Sequence, residues 1–261
     1  MKKKNNLWLL NTLLISFVVL PLFGLNNLQA KEYVIGVEDV SYYPLYDFSI
    51  EGVDRDSFTK ELLSTFFRHQ GYKYKFVALP VKRFDKWYVE ETIDFKFPDN
   101  ERWRSGESKK LKLTFSQPVL YLIAGTFVLK KNKNKPREAI KRLGTIFGFF
   151  PTLWYDRVDN NTIELVENSS SYSLVKHLLY DNIDAVNIER NVIDYNLKLL
   201  NKAQDAVVLN KHIQHQRYAF HFSTILHPKI IQEFDQFLND HSQQIADLKN
   251  KYGIVETSAT F

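Results

Sequence analysis

Residues 32–79 decide the fold through three short pieces: EYVIGV at 32–37, SFTKELLSTFFRHQ at 57–70 and KYKFVAL at 73–79. The first is a β-branched and aromatic run bounded by charge, which reads as a strand ending before a polar and aromatic loop at 38–48. In the second, Phe58, Leu62, Leu63, Phe66 and Phe67 recur at helical spacing. Ser57 stands where an N-cap belongs, and Gly71 where a helix end favours glycine. The third alternates like a strand. Strand, helix, strand in that order predicts a parallel sheet of the α/β class.

Beyond this unit, 83–89 reads as a short helix, 92–97 as a short strand and 98–108 as a polar loop. The apolar run at 119–129 is too short and interrupted to span a membrane and reads as one buried strand. The basic segment at 130–142 reads as a solvated connection. The pattern then restarts, with strands at 143–147, 162–166 and 183–188 and a helix at 170–180. A helix at 192–202, extended pieces at 206–209 and 217–222, and one long amphipathic stretch at 227–252 complete the chain. Two α/β units joined by strand-like connections imply two lobes with a cleft.

The ends and composition bound the function. Lys2, Lys3 and Lys4, an apolar core at 7–23 and a polar tail closing on Ala30 follow the order of a secretory signal cleaved near Ala30. A retained membrane anchor is the alternative, since the core is near the lower limit for a span, about 17 residues. Removing 1–30 takes away three lysines and no acid, leaving 32 basic against 30 acidic side chains, so the net charge falls from +5 to +2. A near-neutral chain with interspersed charges gives no support to a nucleic-acid partner. The absence of cysteine excludes disulfides, thiolate metal sites and a cysteine nucleophile. His212, His215, His221 and His227 lack a carboxylate at ligand spacing, so no zinc site is expected. Neither a Gly-x-Ser-x-Gly elbow nor a phosphate-cradling glycine loop is present, and no cofactor is expected.

Several strings recur in a telling order: Tyr42-Tyr43-Pro44 after the first strand, Gly52-Val53-Asp54-Arg55-Asp56 before the helix, and Leu79-Pro80-Val81-Lys82-Arg83 opening the next. Asp94, Glu101-Arg102, Phe115-Ser116-Gln117-Pro118, Asp184-Ala185-Val186 and Lys251-Tyr252-Gly253 follow. In this order the chain resembles the type II periplasmic solute-binding proteins, specifically the amino-acid type of ABC transporters (extracellular solute-binding protein family 3). The resemblance implies a two-lobed α/β fold with a hinge, one lobe from 31–125 plus 216–261 and the other from 126–215. It implies a monomer in the periplasm that catalyses nothing and captures a small polar solute, amino-acid-like or an organic acid. The partner would be the permease of an ABC importer, or a sensor protein. A dehydratase on the same scaffold, with Glu101 or Asp99 as general acid, is the enzymatic alternative.

The resemblance also implies a carboxylate-gripping arginine before the Phe-Ser string, because a guanidinium donates two parallel bonds to two oxygens. Arg102 matches by position, but 103–108 is longer than the pattern, and Arg104 is the alternative. Arg83 at a helix start would face the cleft with Lys82 turned away, or would be a plain surface arginine. Tyr42 and Tyr43 follow a parallel strand, beyond whose end ligands bind in open sheets; either ring could instead cover the core. Asn100 ends the next strand beside Trp103. From the second lobe, Phe149 would form the opposite wall, Asn187 would point in from a strand end, and Ser169 and Ser170 would offer helix N-terminal donors to a ligand or cap the helix.

Overall fold

The computed structural model describes residues 31–50, 55–104 and 106–257; the expected signal at 1–30 and the Gly52-Val53-Asp54 string lie outside them. The first half runs β1 (Glu32–Glu38), β2 (Ser41–Tyr42), β3 (Tyr46–Asp47), α1 (Phe58–His69), β4 (Lys73–Leu79), α2 (Phe84–Val89), β5 (Phe95–Asp99), β6 (Thr114–Phe115) and β7 (Leu120–Ala124). There follow β8 (Phe127–Leu129), β9 (Arg142–Ile146), α3 (Tyr155–Asp159), β10 (Glu164–Asn168), α4 (Ser171–Leu179), β11 (Ala185–Val186), α5 (Arg190–Leu199) and β12 (Val207–Leu209). The chain closes with β13 (Gln216–Thr224), α6 (Pro228–Asp240) and α7 (Ser242–Lys251).

Two sheets result. The first has the order β4-β1-β5-β13-β6, with β7 also paired to β13; the second has the order β10-β9-β11-β8-β12. Each keeps a parallel heart, β4-β1-β5 and β10-β9-β11, and the returning strands pair antiparallel to it. Parallel strands buried on both faces explain the apolar run of Tyr33–Val37 and the burial of Phe95 and Phe97. The Ser57 hydroxyl caps α1 by accepting from the Lys60 N–H at 3.4 Å, and Phe58, Leu62, Leu63, Phe66 and Phe67 are all buried, as their spacing predicts. Phe66 then packs against Phe234 and Phe237 of α6, with ring centroids 5.0 and 5.5 Å apart.

Two expected elements divide. The apolar run at 119–129 is two strands, because the chain leaves one sheet after Ala124 and enters the other at Phe127. Gly125 sits at the crossing, where a Cβ would come within 2.4 Å of Leu209 on the second crossing segment. The long C-terminal stretch bends at His241, whose N–H still bonds the Phe237 carbonyl while its ring stacks on Phe237 at 4.4 Å, leaving α6 and α7 as separate helices. The basic segment at 130–142 is held by acids of the second half: Lys130 on Asp205, Lys131 on Asp181, Lys135 on Asp184 and Arg137 on Asp156.

Candidate functional site

Between the two sheets lies a cleft of about 450 Å3, within the range of small-molecule sites. The first sheet contributes side chains at strand ends and their following turns: Glu38 at the end of β1, Lys96 on β5, Arg102 and Trp103 beyond it, Tyr218 and Phe220 on β13. From the second come Gly148, Phe149, Phe150, Asn187 and Glu189. The halves already touch across it. The Tyr42 ring meets Phe149 edge-on with centroids 5.3 Å apart, and its hydroxyl accepts the Glu189 N–H at 2.6 Å. At the opposite rim Lys82 pairs with Glu167 at 3.5 Å and lies 4.4 Å from the Phe147 ring centre. Gly148 abuts Val81, where a Cβ would approach to 3.1 Å, and its positive φ of 89° independently favours glycine.

Charge in the cleft is built in layers. Asp99, fully buried, accepts from Arg104 and from the Ser223 hydroxyl at 2.6 Å through one oxygen; the other accepts the Asn100 N–H at 2.9 Å and meets the Lys96 ammonium at 3.3 Å. Glu38, beside this pair, accepts from the Tyr46 hydroxyl. Burial pushes its carboxyl up to about 7 despite the charge of Lys96 and that bond. Burial likewise raises Glu189 to about 7 although it caps α5, accepting from the Asn191 N–H at 2.5 Å and its amide at 3.1 Å. The hydroxyls of Tyr42, Tyr46 and Tyr218 are all held well above their usual range by burial, so they act as neutral hydrogen-bonding groups.

No protein-family model matches the chain, and no curated protein matches it. Solved structures do. A substrate-binding protein of an ABC uptake transporter from Streptococcus pneumoniae with bound histidine superposes at a TM-score of 0.66 and 16% identity, covering 88% of this chain and 95% of that one. A histidine kinase sensor domain with similarity to periplasmic binding proteins gives 0.66 at 13%, covering 87% and 98%. An ancestral amino-acid-binding protein, a precursor of cyclohexadienyl dehydratase, gives 0.62 at 17%, covering 85% and 95%. This is the two-lobed periplasmic binding protein fold. In this fold the cleft just described is the interlobe cleft, and the segments at 124–127 and 209–216 are the two that cross between sheets.

Of the residues expected at a site, the interlobe cleft gathers Tyr42, Arg102, Trp103, Phe149 and Asn187. Arg102 lies exposed at the mouth, donating to the Arg217 carbonyl at 3.1 Å, and Arg104 is committed to Asp99. The other five lie elsewhere. Tyr43 packs outside the cleft, 4.4 Å from the Tyr195 ring and 4.1 Å from the Arg55 guanidinium. Arg83 is exposed while Lys82 lines the cleft, the reverse of the expected pair. A three-residue 3-10 turn at Val81–Arg83 advances side chains by a third of a turn, which carries Arg83 away. Asn100 is spent on structure, capping the Arg102 N–H at 2.9 Å and donating to the Ala219 carbonyl at 2.7 Å. Ser170 caps α4, accepting the Ser173 N–H at 3.2 Å, and Ser169 is exposed beside it.

Glu38, Lys96, Tyr218 and Glu189 were not anticipated. Two signals pointed to them. Glu38 is the last residue of a parallel strand, where cleft residues of open sheets stand. Lys96 is a cation inside a run of aromatic residues that reads as a buried strand, and a buried charge demands a reason.

Proposed function

We propose that this chain is a soluble periplasmic binding protein that captures a small polar solute between two lobes, 31–125 plus 216–261 and 126–215, and delivers it to an ABC-type importer. The carrying observation is the 450 Å3 cleft walled from both sheets, with Tyr42 already bridging to Phe149 and Glu189. A ligand that touches both walls at once favours the closed arrangement by differential contact. Among the described residues no helix is long and apolar enough to cross a membrane. The likeness to ABC substrate-binding proteins supports delivery to a permease; the likeness to a histidine kinase sensor domain supports the same capture serving a sensor. A thermal-shift panel of amino acids, organic acids and amines tests the reading: a rise in melting temperature with one class supports it, and no shift with any member removes it.

A second reading rests on one group. Of the expected acids, Asp99 is consumed by its partners and Glu101 is exposed, but the buried Glu38 carboxyl, near 7, is poised as a general acid in the cleft. Turnover of a cyclic hydroxy acid that vanishes in Glu38→Gln would favour an enzyme; binding without turnover favours the receptor.

A further inference from the structure

Lys96 is the most unusual side chain of the cleft. It lies on β5 with 5% of its surface exposed and lines the cavity. Its ammonium carries three donors. Among the described residues its polar contact is one ion pair of 3.3 Å, to an Asp99 oxygen that already accepts the Asn100 N–H. Two aromatic rings lie beside it, with Phe84 at 4.5 Å and Trp103 at 5.9 Å from ring centre, and Glu38 is within its field. A buried cation so thinly bonded leaves donors for an acceptor from outside.

The acids of the cleft are differently placed. Glu189 gives both oxygens to Asn191 at the start of α5. Glu38 accepts from Tyr46 and lies within the field of Lys96, so a cationic group set against it would meet the ammonium. The walls between are rings: Trp103 stands 6.3 Å from Tyr218 and 5.9 Å from Phe220, with Phe149 opposite. Arg102 at the mouth adds positive potential that draws anions in.

Building on the solute-binding reading, we infer that the cleft selects an aromatic carboxylate without an ammonium group, its carboxylate on Lys96 and its ring between Trp103 and Phe149. An amino acid of the same ring would carry an ammonium for which both cleft acids are already engaged, Glu189 by Asn191 and Glu38 by Tyr46 and Lys96, and an aromatic amine would oppose Lys96.

The test is calorimetric titration of the protein, purified after expression of the full chain, with 3-phenylpropanoate, L-phenylalanine and 2-phenylethylamine. Phenylpropanoate is expected to bind at least about tenfold more tightly than phenylalanine, with no binding of the amine, the tenfold being the worth of one charged contact. Lys96→Met should weaken phenylpropanoate at least about tenfold, while Lys130→Met, paired with Asp205 outside the cleft, leaves it unchanged. Tighter binding of phenylalanine or of the amine overturns the inference, as does unaltered affinity in a folded Lys96→Met. The three-ligand comparison uses the unaltered chain and so decides even where that variant does not fold. If none of the three binds but another solute of the broad panel raises the melting temperature, the inference fails and the solute-binding reading stands; if nothing does, both fail.

Discussion

Asn191 and Val255 hold each other across the molecule: the Asn191 amide donates to the Val255 carbonyl at 3.1 Å, and the Val255 N–H returns a bond to the Asn191 side-chain oxygen at 2.7 Å. The residue after them continues the tie, with Glu256 accepting the Tyr121 N–H at 2.8 Å. The C-terminal tail therefore straps β7 of the first sheet to the start of α5 in the second half. Because Asn191 also feeds Glu189 in the cleft, its side chain links strap and site.

Asn191→Ala should cost about 2–3 kcal/mol, since the Val255 peptide and a buried carboxylate each lose a partner. Denaturant unfolding measures the loss, and amide exchange at Val255 should accelerate more than exchange in α1. Equal acceleration everywhere would mean that the strap has no local role.

Arg55 and Tyr195 make a second tie. The Arg55 guanidinium pairs with Asp47, lies over the Tyr43 ring and donates to the Tyr195 hydroxyl at 2.9 Å. Tyr195→Phe keeps the ring and removes this bond to a charged donor, worth about 1.5–3 kcal/mol at most. Solution scattering should show a larger radius of gyration for the variant without ligand and recovery when ligand is added. An identical radius would show that this contact does not hold the lobes together.

How much was legible varies with how local the cause is. The β1-α1-β4 unit was readable because apolar spacing, a cap and a C-terminal glycine are written in adjacent residues. The break at 124–127 was not: an unbroken apolar run has no mark for the point where one sheet is exchanged for another, and what fixes it is the contact of Gly125 with the distant Leu209. The cleft shows the same division. Tyr42 and Trp103 were readable from strand ends and turns, whereas Lys82 and Arg83 exchanged roles through one 3-10 turn that composition does not announce. Asn100 and Ser170 bear the polar groups a ligand would use, but nearby backbone N–H groups claim them first.

Trp154 anchors the second half. It is fully buried, its indole N–H donates to the Thr126 hydroxyl at 2.9 Å next to the crossing, and Arg137 lies 4.8 Å from its ring centre. Trp154→Ala should destabilise by about 3–5 kcal/mol, the cost of a large core truncation. Trp154→Phe keeps most of the volume and should lose much less. Urea unfolding followed by far-UV circular dichroism ranks the two, and equal losses would deny the ring its packing role.

The pH dependence of stability follows from the two cleft acids. Both carboxyls stand near 7 in the folded chain against 4.5 for an exposed glutamate, raised by burial. Around Glu38 the facing groups are Lys96 and Asp99 from β5 and Tyr46 from β3. A raised acid means that the folded state binds the proton more tightly than the unfolded one. Stability from these groups is thus full below about 4.5, falls as pH rises toward 7 and is lost above it. The ceiling is about 3 kcal/mol for each group. Asp94, Asp184 and Glu61 act in the opposite sense: despite burial, their bonds to lysines lower them, so their stability is present above the ordinary carboxylate range and disappears as pH falls through it. The two trends cross in the ordinary carboxylate range and place the maximum near pH 4–5. The melting temperature should be higher at pH 5.5 than at pH 8, and Glu38→Gln, which stays neutral throughout, should flatten that decline by about half. A decline of unchanged steepness in Glu38→Gln would remove Glu38 as a group that titrates in this interval.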